Sequence, residues 1–554
     1  MLRLKKVLRF LGWTIVGIFL LLVVLIGYVR IVAVADPPQP QDPAAMSYQV
    51  TADSGLYKIK NNWFRHSESG LYELYVEGEP YERGVVIGKL SQEQVQHQEV
   101  VFNGQIHRLI PSPFYLTMLR YFVGWFNRDI DDYVAEEYKQ EILGVSESAS
   151  HEFDDIASPY QRILNYHGAH DIGHALQNMS LVGCTSFATW GARSADSSLI
   201  IGRNFDFYVG DDFARDKIVA FYKPAQGFPF MMITFGGMTG VLSGMNDQGL
   251  TITLNAAKSK IPGGAATPVS LVAREILQYA STIDEAYAIA ARRKMFVAES
   301  LLIGSAKDGR AAVIEKTPDA QELYQGDTAQ HYLICTNHFQ SAGLGNTELN
   351  REHMRTSASV YRYKRVDELL KRNGPNTVAR TAALLRNQDG LGDKPIGLGN
   401  EKSINQLIAH HGIIFQPGKL RVWISTAPWQ LGKFVCYDLH KVFAGLSRNR
   451  EIYEADLTIP ADTFQTTPAY QDAVKFNAYR FPFSPRDDMQ PDSLVKWNPK
   501  SYHAYMLAGD NYLDHDDYAK AQAMFERGLV CEVATEQERA HMQQGLDKCK
   551  QAQP

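Results

Sequence analysis

Cys184 stands in the run Leu181-Val182-Gly183-Cys184-Thr185-Ser186-Phe187, and Gly202-Arg203-Asn204-Phe205-Asp206 follows soon after. These residue types suit a thiol that attacks a carbonyl and forms an acyl-thioester. An unassisted cysteine is mostly protonated at neutral pH, with a pKa of about 8.5. An α-amine, with a pKa of roughly 7.7–8.0, serves as a general base in that range. Breaking the Gly183–Cys184 bond would place such an amine on the same residue as the thiol. Gly183 has no side chain, so its backbone can take a strained geometry that presents its carbonyl to the Cys184 sulfur. The expected route is an N-to-S acyl shift followed by hydrolysis, leaving a chain that begins at Cys184. The competing possibility is an inert, buried structural thiol.

Asp206 is the expected partner of the liberated amine, orienting it toward the thiol. Arg203 lies three residues earlier, and strand alternation would put the two on opposite faces. A bulge or a strand end is therefore needed for both to reach one site. Asn255 and Asn337 each end an apolar strand, where asparagine is common as a turn residue. A neutral amide donor also suits an oxyanion hole, where one donor is typically worth ~3 kcal/mol. Arg362 is expected on a helix, pointing either toward the nucleophile, to pair with Asp206 or a substrate, or to solvent beside Lys364 and Arg365. His167, His170 and His174 share one face of a helix by their spacing. No carboxylate or cysteine completes a ligand set there, and no metal is expected.

Three further motifs follow in order: Met245-Asn246-Asp247-Gln248-Gly249-Leu250 leading to Asn255, Cys335-Thr336-Asn337-His338-Phe339, and Ser359-Val360-Tyr361-Arg362-Tyr363. With them, residues 50–445 resemble the isopenicillin-N acyltransferase (acyl-coenzyme A:6-aminopenicillanic acid acyltransferase) family. These are autoproteolytic N-terminal-nucleophile hydrolases related to the choloylglycine, or bile-salt, hydrolases. The resemblance implies cleavage between Gly183 and Cys184 and a catalytic set of Cys184, Arg203, Asp206, Asn255, Asn337 and Arg362, with both asparagines as oxyanion donors. It also implies no metal or other cofactor, and a small-molecule acyl amide or acyl donor as substrate.

The rest of the chain must position these groups. Its 554 residues suggest more than one domain, and the net charge of -5 gives no basic footprint for nucleic acid. Strand blocks separated by helix blocks predict an α+β sandwich with sheets inside and helices outside; the resemblance implies the four-layer αββα form of N-terminal-nucleophile hydrolases. The Asn246–Gly249 step is expected to be a hairpin turn with Gly249 at positive φ. Phe228, Phe230, Met231 and Met232 would line an acyl pocket or, more commonly, fill the core. Of the five cysteines, Cys335 and Cys436 sit in apolar runs and are expected to be buried; Cys531 and Cys549 would pair only in an oxidising compartment.

Residues 10–29 are apolar and long enough to span a bilayer. Arg3, Lys5, Lys6 and Arg9 precede them, so residues 1–9 are expected to be cytoplasmic and the catalytic domain extracytoplasmic, periplasmic in a bacterium. A cleaved signal ending at Ala33-Val34-Ala35 is the alternative. Residues 30–48 are expected to be a Pro-rich linker, and 49–445 the catalytic domain, with a propeptide-like part at 49–183 and a nucleophile part at 184–445. Residues 446–500 are expected to be an extended linker. At 501–550, Tyr505, Gly509, Tyr512, Ala521 and Phe525 have the spacing of a tetratricopeptide-like helical hairpin, which would dock on the main domain or on a protein partner.

The leading function is an exported amidase or acyltransferase that works through Cys184. An alternative is a membrane-tethered binding or scaffold protein on a degenerate hydrolase fold. A weaker third is a papain-like Cys–His pair using His338 or His411.

Overall fold

The computed structural model describes residues 2–176, 183–208, 210–258, 260, 264–445, 451–481 and 488–552. Two largely antiparallel sheets organise it, of eleven and seven strands. Runs such as Phe230–Thr234 show why they form. Met231 and Ile233 point into one apolar cluster, while Phe230 and Met232 point into another, the period-two alternation of a strand buried on both faces.

Three apolar clusters follow from that alternation. One joins the two sheets, with Phe221, Met231, Met245 and Leu302 of the larger meeting Ile201, Ile413, Val422 and Val435 of the smaller. A second lies between the larger sheet and the helices Pro80–Leu90, Glu136–Ser146, Val269–Tyr279 and Ile283–Arg292. In the third, the smaller sheet packs against Ser359–Arg372 and Val378–Leu385 through Phe187, Ile414, Val366 and Leu369.

The Ser243–Asn246 and Leu250–Ala256 strands form the expected hairpin. Gly249 has φ +73, and a side chain there would meet Ala306 at 2.6 Å, so both conformation and space require glycine. All five cysteines are free thiols.

Two connecting segments differ from expectation. Residues 33–48 do not stand clear of the body. Gln140 clasps them, its amide donating to the Gln39 carbonyl at 2.8 Å and accepting from the Gln41 amide at 3.1 Å, and Ala45 is fully buried. Nor are residues 451–481 an extended linker. Tyr453–Ile459 adds the edge strand of the smaller sheet, and Pro468–Arg480 is a helix. Alternation around Leu457 and Ile459, short and flanked by charge, was too weak to announce a strand. The C-terminal region has three helices, Tyr502–Asp514, Tyr518–Val530 and Glu536–Ala552. Phe525 is wedged between Gly509 and Gly545, each able to accept no more than a hydrogen at that contact. The unit docks on the main domain through Glu532, which bridges Lys394 and Lys402. Residues Arg9–Val29 form the apolar part of the first helix, long enough to cross a membrane; a signal sequence has the same character.

A buried ion cluster ties together three helices, Pro80–Leu90, Glu136–Ser146 and Val269–Tyr279. Arg83 donates to Glu141 at 2.7 Å and Arg274 at 3.1 Å. Burial alone would raise the Glu141 carboxyl, but Arg274 and Arg83 together hold it below its ordinary value. Replacing Glu141 by glutamine strands two guanidinium charges in the core, and stability should fall by about 3–5 kcal/mol. The urea midpoint of the full chain reads this directly; an unchanged midpoint would show that the cluster contributes nothing.

Candidate active site

Cys184 immediately precedes the Thr185–Thr189 strand, which runs antiparallel to Ile200–Asp206 with Ser186 opposite Arg203. That second strand is central, flanked on its other side by Ala409–Gln416. The register of this pairing shifts between Ala409 and His411, opposite Asp206 and Phe205. Asp206 is the last residue of its own strand, so of the two options, a bulge or a strand end, the structure has the strand end. Cys184, Arg203 and Asp206 are all sealed from solvent, the cysteine 1% exposed. The Cys184 thiol is 3.8 Å from the Asp206 carbonyl oxygen, and the Arg203 Nη2 donates to its sulfur at 3.9 Å.

The peptide ahead of the thiol is held at both ends. The Gly183 N–H donates to the Asp206 carbonyl at 2.9 Å, and its own carbonyl accepts from Gln406 Nε2 at 2.7 Å. A Cβ on residue 183 would fall 2.3 Å from that nitrogen, so a side chain there would push the Gln406 amide off the carbonyl. Leu181 and Val182 of the same motif lie outside the described residues.

Arg203 is fixed by the Leu254 and Leu242 carbonyls and the Ser243 hydroxyl, which is itself 2.9 Å from His411 Nε2. Burial pushes the Cys184 thiol up to about 11, with Arg203 opposing. The Asp206 carboxyl is pushed up to about 7, again by burial, against the pull of Arg362, Arg203 and Arg480. Neither Asp206 carboxylate oxygen has a hydrogen-bond partner among the described residues.

The two asparagines form a reciprocal clasp. Asn255 Nδ2 donates to the Cys335 carbonyl at 3.0 Å, and Asn337 Nδ2 to the Ala256 carbonyl at 2.9 Å. Asn255 Oδ1 accepts from Ser186 at 2.7 Å, which joins the clasp to the residue two after Cys184. Arg362 is buried, not solvated. It donates to Asn337 Oδ1 at 2.6 Å and to the Glu401 carbonyl at 2.7 Å, and makes no hydrogen bond to Asp206.

Other candidates sit elsewhere. His338 bonds Ser359 at 2.8 Å and His411 bonds Ser243, so neither forms a pair with the thiol. His167 is buried, held by Ile163 and Thr239; burial lowers it to about 4. The His170 and His174 side chains lie outside the described residues, among which no metal-binding group occurs. Phe230, Met231 and Met232 are core. Sequence reading missed Gln406, Ser186 and Ser243. Gln406 lies in a polar stretch, Asn400–Gln406, with no spacing to single it out.

Residues 193–425 match the model of the acyl-coenzyme A:6-aminopenicillanic acid acyl-transferase family. An N-acylethanolamine-hydrolyzing acid amidase of Caenorhabditis elegans is 25% identical over 42% of this chain and 64% of its own length. An uncharacterized protein of Archaeoglobus fulgidus is 26% identical over 45% of this chain and 44% of its own. Protein dcd1B of Dictyostelium discoideum is 23% identical over 50% and 56%. The chain thus spans 44–64% of the length of these curated relatives. Among solved structures, a Caenorhabditis elegans N-acylethanolamine-hydrolyzing acid amidase ortholog aligns at 19% identity over 42% of this chain and 93% of its own, TM-score 0.31. A mutant conjugated bile acid hydrolase of Clostridium perfringens aligns at 13% identity over 47% and 93%, TM-score 0.30.

Because the Asp206 carboxyl lies higher in the fold than its ordinary 3.8, its protonated form favours the folded state. That contribution is complete at low pH and is lost as pH rises toward 7, by about 4 kcal/mol in the limit. In the Cys184→Ala chain, thermal stability should decline from pH 4 to 7, and adding Asp206→Asn should remove that part of the decline. Parallel pH profiles for the two variants would rule the effect out.

Proposed function

We propose that this chain, which over residues 193–425 belongs to the acyl-coenzyme A:6-aminopenicillanic acid acyl-transferase family, is a cysteine amidase or acyltransferase that first cuts its own Gly183–Cys184 bond. The observation that carries the proposal is the fully buried Asp206 carboxylate, without a hydrogen-bond donor among the described residues, near a thiol whose α-nitrogen is still in a peptide bond. A buried anion without a partner is costly. An α-ammonium created on Cys184 would supply the missing charge.

In the uncut chain the thiol is neutral and Asp206 is the nearby carboxylate able to accept its proton. After the cut, the Cys184 amine takes over as base, Asp206 orients it, and Arg203 steadies the thiolate. The acyl group of a linear amide passes to the sulfur. Asn255 and Asn337 turn their remaining N–H groups to the tetrahedral oxygen, and Arg362 holds Asn337 by its Oδ1. Water or an amine then takes the acyl group from the thioester. The likeness to an N-acylethanolamine-hydrolyzing acid amidase supports an acylated small amine as substrate.

The three apolar clusters support the four-layer αββα architecture, and the tight Gly509–Phe525 seam supports a tetratricopeptide-like C-terminal unit. The first helix serves as a single-pass anchor with its basic end in the cytoplasm and the body outside. A scaffold role would leave the chain intact.

N-terminal sequencing of purified protein should find a fragment beginning at Cys184, and Cys184→Ala should yield full-length chain only. Asp206→Asn should slow the cut by about 10²-fold or more. Equal processing of wild type and Cys184→Ala would refute self-cleavage.

A further inference from the structure

We propose that Gln406 is a catalytic residue of the self-cleavage, and that the C-terminal helices, beyond the matched family segment, act as its positioning element. The inference rests on the self-cleavage reading above. The reaction begins when the Cys184 sulfur attacks the Gly183 carbonyl carbon and the carbonyl oxygen becomes an oxyanion. The C–N bond then breaks and the nitrogen takes up the proton lost by the thiol. This leaves a thioester between Gly183 and the sulfur, and a free amine on Cys184. Water splits the thioester to the Gly183 carboxylate and the thiol. Gln406 Nε2 already donates to the oxygen that must bear the charge, at 2.7 Å. A neutral amide there stabilises the charged tetrahedral state more than the uncharged peptide. The observed hydrogen bonds of the Asn255 and Asn337 amides go instead to the Cys335 and Ala256 carbonyls.

Gln406 belongs to no helix or strand; its neighbours Ile404 and Asn405 are held by Asn204 and Asn387, and the rest of the bracing comes from the far end of the chain. Arg480 donates to the Gln406 carbonyl at 3.1 Å and to Glu401 at 2.8 Å. The Tyr502 hydroxyl lies between Glu401, at 2.9 Å, and Glu538, at 2.7 Å. Asn400 donates to the Glu532 carbonyl at 2.8 Å, and Lys402 pairs with the Glu532 carboxylate at 2.7 Å. These last braces all come from residues 480–538, past the end of the family match at 425.

The test follows the cleavage rate of the full chain, with thermal stability measured alongside. Gln406→Met should slow the cut by about 10²–10³-fold with the melting temperature close to wild type. Gln406→Glu keeps the shape and adds a readout that packing alone would not give. Relative to wild type it should cleave at low pH, where its acid O–H donates, and fail as that acid ionises. Arg480→Met should slow cleavage in the wild-type background but add little to Gln406→Met, whereas an independent structural role would give additive losses. Wild-type rates at every pH in both Gln406 variants, alongside a cleaved wild type, would overturn the assignment and leave self-cleavage standing. A wild type that stays intact would overturn both.

Discussion

Asp206 carries its carboxylate into a sealed position at the end of a central strand, and neither oxygen receives a hydrogen bond there from the described residues. Its carbonyl, meanwhile, holds the Gly183 N–H and faces the Cys184 thiol. One residue thus fixes the peptide ahead of Cys184 through its backbone and leaves its carboxylate without a hydrogen-bond donor among the described residues. Arg203, Arg362 and Arg480 temper that charge from a distance without neutralising it. The proposed chemistry follows from this imbalance, because forming an ammonium beside Asp206 relieves a cost built into the uncut fold.

The surrounding motifs are stitched together by buried side-chain hydrogen bonds to the backbone. Arg203 reaches the strand that ends near Asn255; Asn255 reaches Cys335, and Asn337 returns to Ala256. Ser359, at the head of the next helix, accepts from the Asn337 N–H, and Arg362 grips its side chain. The two sheets are therefore locked in register at the site by polar contacts, while apolar clusters hold them elsewhere.

Much of this was legible from residue types. The hairpin at Gly249 and the buried Cys335 and Cys436 carry local signals that survive without coordinates, and the motifs around Cys184, Arg203 and Asp206 point to three side chains that the fold buries close together. Gln406 does not, because its contact with Gly183 spans 223 positions and its own neighbourhood is polar and irregular. Arg362 was ambiguous for a related reason. Basic neighbours at 364 and 365 make its helix look solvated, whereas Glu401 and Asn337, from distant segments, enclose it. Strand alternation asked for a bulge or a strand end between Arg203 and Asp206, and Asp206 closes the strand Ile200–Asp206. The strand Tyr453–Ile459 was missed because an edge strand needs only one apolar face.

The parallel pairing of Tyr72–Gly78 with Ile218–Pro224 joins residues on opposite sides of position 183. Every strand from Thr51 to Gly78 reaches the larger sheet through that one seam. Severing the chain at Gly183 would turn the sheet into a shared property of two polypeptides, held together by ladder hydrogen bonds and the buried Arg83–Glu141–Arg274 cluster. Such a heterodimer has no covalent memory of its partner. Once pulled apart it would have to find the missing half by diffusion, so its durability would be set by the rate of dissociation rather than by a reversible folding equilibrium.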